Sequence, residues 1–467
     1  MPVPTAVEKV GFGCNMIFLF LITSRLIEVG PPSLHLMVIL GGITGLLAIL
    51  SGNLWKTMTS ALGVLFLCLT AWFALTVLLS VWRGGSAAVF EQEWLRAACT
   101  FFLVASVTVT SRQAIQAIRV TAWALLASGV LALAAGAAVE GRLYLPLSPT
   151  LANPNYLAAA MCMGLLFWCF VVHNPKEGRV SRVIGIAALA AFIVVIVESG
   201  SRGAMLALLV TVPFLIMQYS LASRLRIVAL LVLMMLLGFI LAPGLAVERF
   251  ALLFESDNQP TSQTELRVQQ EAEGSTESRM TVLKRSLEIT AQHPLMGVGI
   301  GMFAVAENDL AASEGQPGTW RGTHNTYTQL SSETGITGLV LFVAVLAMDW
   351  RAMRALRRDG RLALHPDAPE IRAAATALWL VLLNTMAYGF FAHFAYSSTI
   401  PIISGLIFAL SRGASGELAQ IGVQRPDMVG ALGPAAGLRQ PESRSGGALV
   451  PNRATALRPA GGSLQGP

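Results

Sequence analysis

Apolar runs of close to twenty residues recur along almost the whole chain, and that recurrence leaves few folds open. A helix needs about 20 predominantly apolar residues to cross the hydrocarbon core of a bilayer. Read in order, the runs predict spans near 11–28, 33–51, 57–82, 96–111, 113–139, 153–172, 183–199, 203–221, 226–243, 328–348, 372–393 and 397–411. The expected fold is an all-α polytopic membrane protein with about twelve transmembrane helices. Charged residues make up 12% of the chain, where a soluble domain carries about 25%, and this agrees with that reading.

The polar segments divide the chain. Residues 1–243 hold helices 1–9, residues 244–327 form one large polar loop with short helices, and residues 328–411 hold helices 10–12. Residues 412–467, rich in Gly, Pro, Ala and Arg and without apolar periodicity, read as a disordered tail. Twelve spans put both termini on one side. With that side cytoplasmic, the basic clusters KEGR at 176–179 and RAMRALRRDGR at 351–361 fall inside, as the positive-inside rule requires. The net charge of +6 is therefore a topology signal, and no nucleic-acid partner is implied. The five cysteines all sit in apolar runs and read as structural thiols rather than a disulfide framework or metal site. The first apolar stretch lacks a small-residue cleavage site and reads as a retained anchor.

The large loop faces outward in this topology. Its middle, ESDNQPTSQTELRVQQEAEGSTES, is acidic and polar and has the composition of a mobile segment. From Arg279 to Ile289, the spacing of Met280, Leu283 and Leu287 predicts an amphipathic helix with those residues on its apolar face. HPLMGVGIGMF (293–303) reads as a glycine-rich turn that packs closely against something.

The stretch TWRGTHNTYTQLSSETGITGL, from Thr319 to Leu339, sits at the seam between this loop and the next apolar run. His324 lies there, beside Asn325. An imidazole titrates near 6.5 and can accept a hydroxyl proton near neutral pH, although a histidine at a helix mouth also serves simply as a cap. Arg202, in VESGSRGAML, stands between two apolar runs at the same membrane face. A guanidinium there needs a partner. Glu198 is one, and an anion approached between Gly200 and Gly203 is another, since a fork of N–H donors suits phosphate. Arg279 opens the predicted loop helix after Ser275, Thr276 and Ser278, a pattern that fits an anion site at a helix N-terminus and equally a solvated arginine. Arg142, near the NPN of Asn153–Asn155, is a weaker candidate. Arg25, Arg83, Arg96 and Arg321 are left unranked. Glu91-Gln92-Glu93 is the nearest approach to a metal motif and is better explained as an interfacial helix with Phe90 and Trp94 on its apolar side. There is no HExxH, Cys/His cluster, Walker loop, dinucleotide fingerprint or GxSxG.

Taken together, His324-Asn325, nine residues, then Gly335-Ile336-Thr337-Gly338 resemble the signature of the O-antigen ligase and polymerase superfamily. SRGA (201–204), Ser278-Arg279 leading into HPLMGVGIGMF, and NPNYLA (153–158) follow in the order that family shows. The resemblance implies a glycosyltransferase C-like enzyme of the Gram-negative inner membrane, with its active site at the periplasmic face. It implies a donor glycan on undecaprenyl pyrophosphate and, for a ligase, lipid A–core as acceptor, with no metal, ATP or other cofactor. It makes His324 the base toward the acceptor hydroxyl and Arg202 and Arg279 the pyrophosphate clamp, with Arg142, Asn155, Asn325 and Arg321 as further substrate contacts. Repeat-unit polymerases and protein O-oligosaccharyltransferases share the motifs. The twelve-span layout, with one large loop before the histidine helix, favours the ligase. A transporter or flippase is the competing class, but the chain shows no related halves and its motifs cluster at one interface.

Overall fold

The computed structural model describes residues 5–28, 35–139, 141–218 and 263–424, with isolated positions between 224 and 236. Side chains in the 263–292 helix are described from 278 onward, and those of the last helix as far as 422. The long helices are α1 (Ala6–Ser24), α2 (Leu36–Leu50), α3 (Ala61–Leu78), α4 (Arg96–Val107), α5 (Ser111–Ala135), α6 (Pro154–His173), α7 (Arg179–Glu198), α8 (Arg202–Met217), α9 (Gln263–Gln292), α10 (Thr326–Arg358), α11 (Ala368–Tyr388) and α12 (Thr399–Gln424). One two-stranded sheet, β1 (Ala137–Val139) with β2 (Arg142–Tyr144), pairs Val139 with Arg142 in antiparallel register.

Among the described residues, eight helices are long and apolar enough to cross a membrane: α1, α3, α5, α6, α7, α10, α11 and α12. The shorter apolar helices α2 and α8 occupy two more of the expected spans, and α4 a third. The expected span at 226–243 falls outside the described residues. The chain is thus an all-α polytopic membrane protein.

The core lies around α11, which packs on α6, α8, α10 and α12. Its Ile371, Ala374, Leu378, Val381 and Leu382 are fully enclosed. The peripheral helices α1 and α3 leave most of their surface outside the bundle, where lipid substitutes for protein.

The basic loops gather at one end of the bundle. There Arg119 pairs with Glu177 and Glu370, Arg112 with Asp367, and Lys176 with both Asp367 and Glu370. Glu8 accepts from Asn53, and Arg412 donates to the carbonyl of Thr108. The expected boundary at 411 needs correction, because α12 continues to Gln424. Ala414 and Leu418 carry its apolar stripe into the bundle, and the buried Glu417 carboxylate accepts from Ser111 N–H and Oγ–H and meets His365 Nε2 at 3.0 Å. The remainder of the proposed tail, 425–467, lies outside the described residues.

Candidate active site

The site is built where α10 begins. Asn325 caps that helix: its side-chain oxygen accepts from Tyr327 N (2.9 Å) and Thr328 N (3.1 Å), two of the donors a helix start leaves unpaired. His324 precedes the cap with φ 50°, in the left-handed region. The first turn is then sewn to the segment after α11. Thr326 N–H donates to Gly389 O (2.7 Å), Thr326 Oγ1–H to Ala392 O (2.7 Å), and Tyr327 OH to Met386 O (2.8 Å). These bonds bring His393 to His324, ring centroids 5.2 Å apart.

Burial holds His324 down to about 4, with His393, Arg279 and Arg321 adding to the effect, so the imidazole is neutral near pH 7. His393 is also lowered by burial, and its buried Nδ1 makes no hydrogen bond among the described residues. Arg279 is opposed first by burial and then by the neighbouring guanidinium of Arg202. Arg321 reaches the Ser278 hydroxyl, one residue before Arg279. Arg279 and Arg321 therefore place positive charge beside His324, and Arg202 extends that charge beside Arg279.

Arg142 and Asn155 form a second layer. Asn155 Oδ1 accepts from Arg142 Nη2 (2.9 Å) and from Ser201 Oγ (3.0 Å), and Arg142 Nε also donates to Ser199 O (2.9 Å). Tyr388 OH donates to Asn155 O at 2.7 Å. This cluster holds the 199–202 turn, where α8 starts with Arg202 as its first residue and Ser201 as its cap.

Three local expectations change. Arg279 is not at a helix N-terminus, because α9 begins at Gln263, and the Glu- and Gln-rich segment expected to be mobile is helical from there on. The buried face of α9 is Val282, Ser286 and Ile289, while Met280 and Leu287 are half-exposed. The face is set by docking on Val298, Met302 and Phe303 rather than by the longest apolar spacing. Gly203 lets Phe391 pack closely, since a Cβ there would stand 2.5 Å from the Cβ of Phe391, while a Cβ on Gly200 would make ordinary contact with Arg142 at 3.5 Å.

The two glycine motifs lock together. Gly335 interrupts α10 with φ 72° and ψ 176°, which frees Ile336 N–H to reach Pro294 O (2.8 Å). Val298 N–H and Gly299 N–H donate to Ser332 O and Glu333 O. The Glu333 carboxylate, buried inside α10, accepts from Gly301 N (2.9 Å), Phe303 N (3.3 Å) and Tyr396 OH (2.6 Å). Glu333 and His393 went unrecognised in the sequence. An acid inside an otherwise apolar run was the available mark for the first. For the second, a histidine at a span end, nothing local pointed to its neighbour.

A cavity of about 1360 Å³ adjoins this cluster. Tyr156, Tyr388, Gly322, Gln329, Glu333 and His393 form part of its wall, and His324, Arg202 and Arg279 do not. His393 touches both sides.

Fold and site together define a polytopic membrane protein with a neutral imidazole held among arginines at one end of its helix bundle. A family model described as O-Antigen ligase matches residues 186–343, a stretch that contains Arg202, Arg279, Arg321, His324 and both glycine motifs. The match supports placing the chain in the O-antigen ligase-type superfamily, whose members are glycosyltransferase-like enzymes acting on lipid-linked sugars. The match supports a ligase/polymerase-type role in O-antigen processing. No curated protein matches the chain.

Proposed function

We propose that the chain is an O-antigen ligase of the Gram-negative inner membrane, transferring O-antigen polysaccharide from undecaprenyl pyrophosphate to lipid A–core at the periplasmic face. The observation that carries this reading is the neutral His324 imidazole beside Arg279 and Arg321. A neutral ring can take a proton, and flanking cations suit a leaving pyrophosphate.

In this reading His324 accepts the proton of the acceptor hydroxyl as its oxygen attacks the anomeric carbon. The bond from that carbon to the pyrophosphate oxygen breaks, and the electron pair leaves with undecaprenyl pyrophosphate. Direct displacement inverts the anomeric centre. Arg202 and Arg279 stabilise the negative charge that develops, the role preorganised donors play in a site shielded from water. Pyrophosphate is already a good leaving group, so no nucleotide hydrolysis is called for. The basic loops at the opposite end of the bundle fit a cytoplasmic face, which supports reading the site as outward-facing.

The test is a lipopolysaccharide gel from a deletion strain complemented with wild type or with His324→Asn. Bare core in the deletion, restored by wild type alone, supports the ligase. Core capped with a single repeat means a polymerase, and an unchanged ladder overturns both.

A further inference from the structure

We propose that the cavity of about 1360 Å³ beside His393 seats the acceptor glycolipid, with its sugar at the Glu93–Arg96 pole and its hydrocarbon against α1, α2 and α4. This rests on the transfer reading above and names where the second substrate binds.

The walls have the two-part character of an amphiphile's seat. Phe18 and Ile22 of α1, Val38 and Gly42 of α2, and Leu103 of α4 make the apolar part. A Cβ on Gly42 would meet nothing within 4 Å, so this glycine faces open space. Ile39, Ile43 and Leu46 of the same helix are exposed, which places the apolar part beside a lipid-facing surface. The polar part is supplied by a π-helical turn, Phe90–Leu95, whose buried Trp94 is anchored through Nε1–H to Thr70 Oγ1 (3.1 Å). That anchor leaves Glu91, Gln92 and Glu93 exposed along the cavity, next to Arg96. Turns of this type recur at functional sites.

Charge decides which substrate belongs there. The ionisable groups acting on His324 are His393, Arg279 and Arg321, which suits a polyanion. The cavity pole mixes carboxylates with arginine: Arg96 stands by Glu91 and Glu93, while Arg25 is tied to Glu28 (3.3 Å) and Ser398 (3.2 Å). Carboxylates repel a pyrophosphate but accept from sugar hydroxyls, and a guanidinium donates to them. The two substrates thus approach from opposite sides of the His324–His393 pair. Inverting displacement requires that arrangement, because the attacking hydroxyl and the leaving pyrophosphate lie on opposite faces of the anomeric carbon.

The test uses the full-length protein in lipid nanodiscs, with purified lipid A–core and undecaprenyl-pyrophosphate-linked O-antigen varied separately. Gly42→Trp fills the apolar part and Glu93→Gln removes a carboxylate at the pole. Each should raise the apparent KM for lipid A–core on the order of tenfold, the scale of one lost hydrogen bond to a charged group, and leave the donor KM within about twofold. A rise in donor KM alone would assign the cavity to the polyprenyl chain, and unchanged constants would remove it from the reaction path; either overturns the proposal. If Gly42→Trp does not fold, Glu93→Gln decides. If wild type transfers nothing between this pair, the ligase reading has failed, and retention of lipid A–core by native mass spectrometry then decides the seat. Loss of retention in the variants supports it and equal retention overturns it.

Discussion

The rings of His324 and His393 meet edge to face, with centroids 5.2 Å apart and planes 74° apart. The contact joins the start of α10 to the segment after α11, and the hydrogen bonds of Thr326 to Gly389 and Ala392 hold it. Two imidazoles this close in a buried setting do not both take protons. One ring is therefore kept as a base at the mouth of a membrane helix, and the other stands between it and the cavity.

Replacing His324 tests the base directly, provided the backbone is respected. Its φ of 50° is strained for most residues but tolerated by asparagine. His324→Asn should keep the folded protein at wild-type yield and melting temperature. Transfer should drop by about 10²–10⁴, the range general-base catalysis supplies. A variant that folds and retains full transfer would remove the histidine from the chemistry.

Protonation gives a second handle. With His324 at about 4 rather than near 6.5, the base is neutral across the physiological range. The acid limb of kcat/KM should therefore fall near pH 4 and not near 6.5. Burial is the largest cause and His393 the next, so His393→Gln should move the limb upward toward the ordinary value. In the unfolded chain the same imidazole takes its proton near 6.5. Between roughly 6.5 and 4 the unfolded state binds more protons, and this group's contribution to stability is lost as the pH falls through that window.

Much of this arrangement is legible in the sequence, and the reasons divide cleanly. Apolar runs mark helices because a bilayer demands length and composition from each segment alone. The starts of α5, α6 and α8 follow local capping by Thr110, Asn153 and Ser201. His324, Arg202 and Arg279 were readable as candidates because charge and imidazole are conspicuous at a membrane boundary. Pairings across the fold were not readable. His393 meets His324 over a long separation, and Arg142 of β2 reaches across the following loop to Asn155 in the first turn of α6. The register of α9 was also hidden, since its docking partner at 298–303 chooses the buried face.

The locked glycine motifs predict a stability effect at two positions. Gly335 and Gly297 both have positive φ, 72° and 66°. A Cβ on Gly335 would lie 2.0 Å from Leu295 O, and one on Gly297 2.3 Å from the Glu333 carbonyl carbon. Backbone strain alone costs about 1–3 kcal/mol at such a site, and the clash adds to it. Gly335→Ala and Gly297→Ala should each lower the melting temperature of the detergent-solubilised protein. Gly42→Ala, in open space, should leave it unchanged.

Asn155→Ala should separate support from chemistry. Its side-chain oxygen is shared by Arg142 Nη2 and Ser201 Oγ, so truncation leaves two donors without that acceptor. Such a loss costs about 1–3 kcal/mol when the donors stay buried. The 199–202 turn then loosens, and Arg202 is less well placed. Transfer should fall less in Asn155→Ala than in Arg202→Lys, which keeps a charge but loses the planar fork of donors. Measured under saturating acceptor, the Arg202→Lys defect should appear in the donor concentration needed for half-maximal rate.

The far end of the bundle carries the last prediction. Glu417 lies beyond the point where the apolar run of α12 ends, in sequence that reads as tail, yet its side chain is only 3% exposed. It accepts from Ser111 N–H at the start of α5 (3.1 Å) and from the Ser111 hydroxyl, and it meets His365 Nε2 at 3.0 Å. His365 Nδ1 in turn accepts from Asp367 N–H, which puts the ring proton on Nε2 and aims it at Glu417. Glu417→Ala strands those donors in a closed space, at about 1–3 kcal/mol, and loosens α12 from α5. Truncation after Ser411 removes Ala414 and Leu418 as well and should lower the melting temperature further. If the truncated chain melted with wild type, the packing of α12 beyond 411 would contribute nothing to the fold.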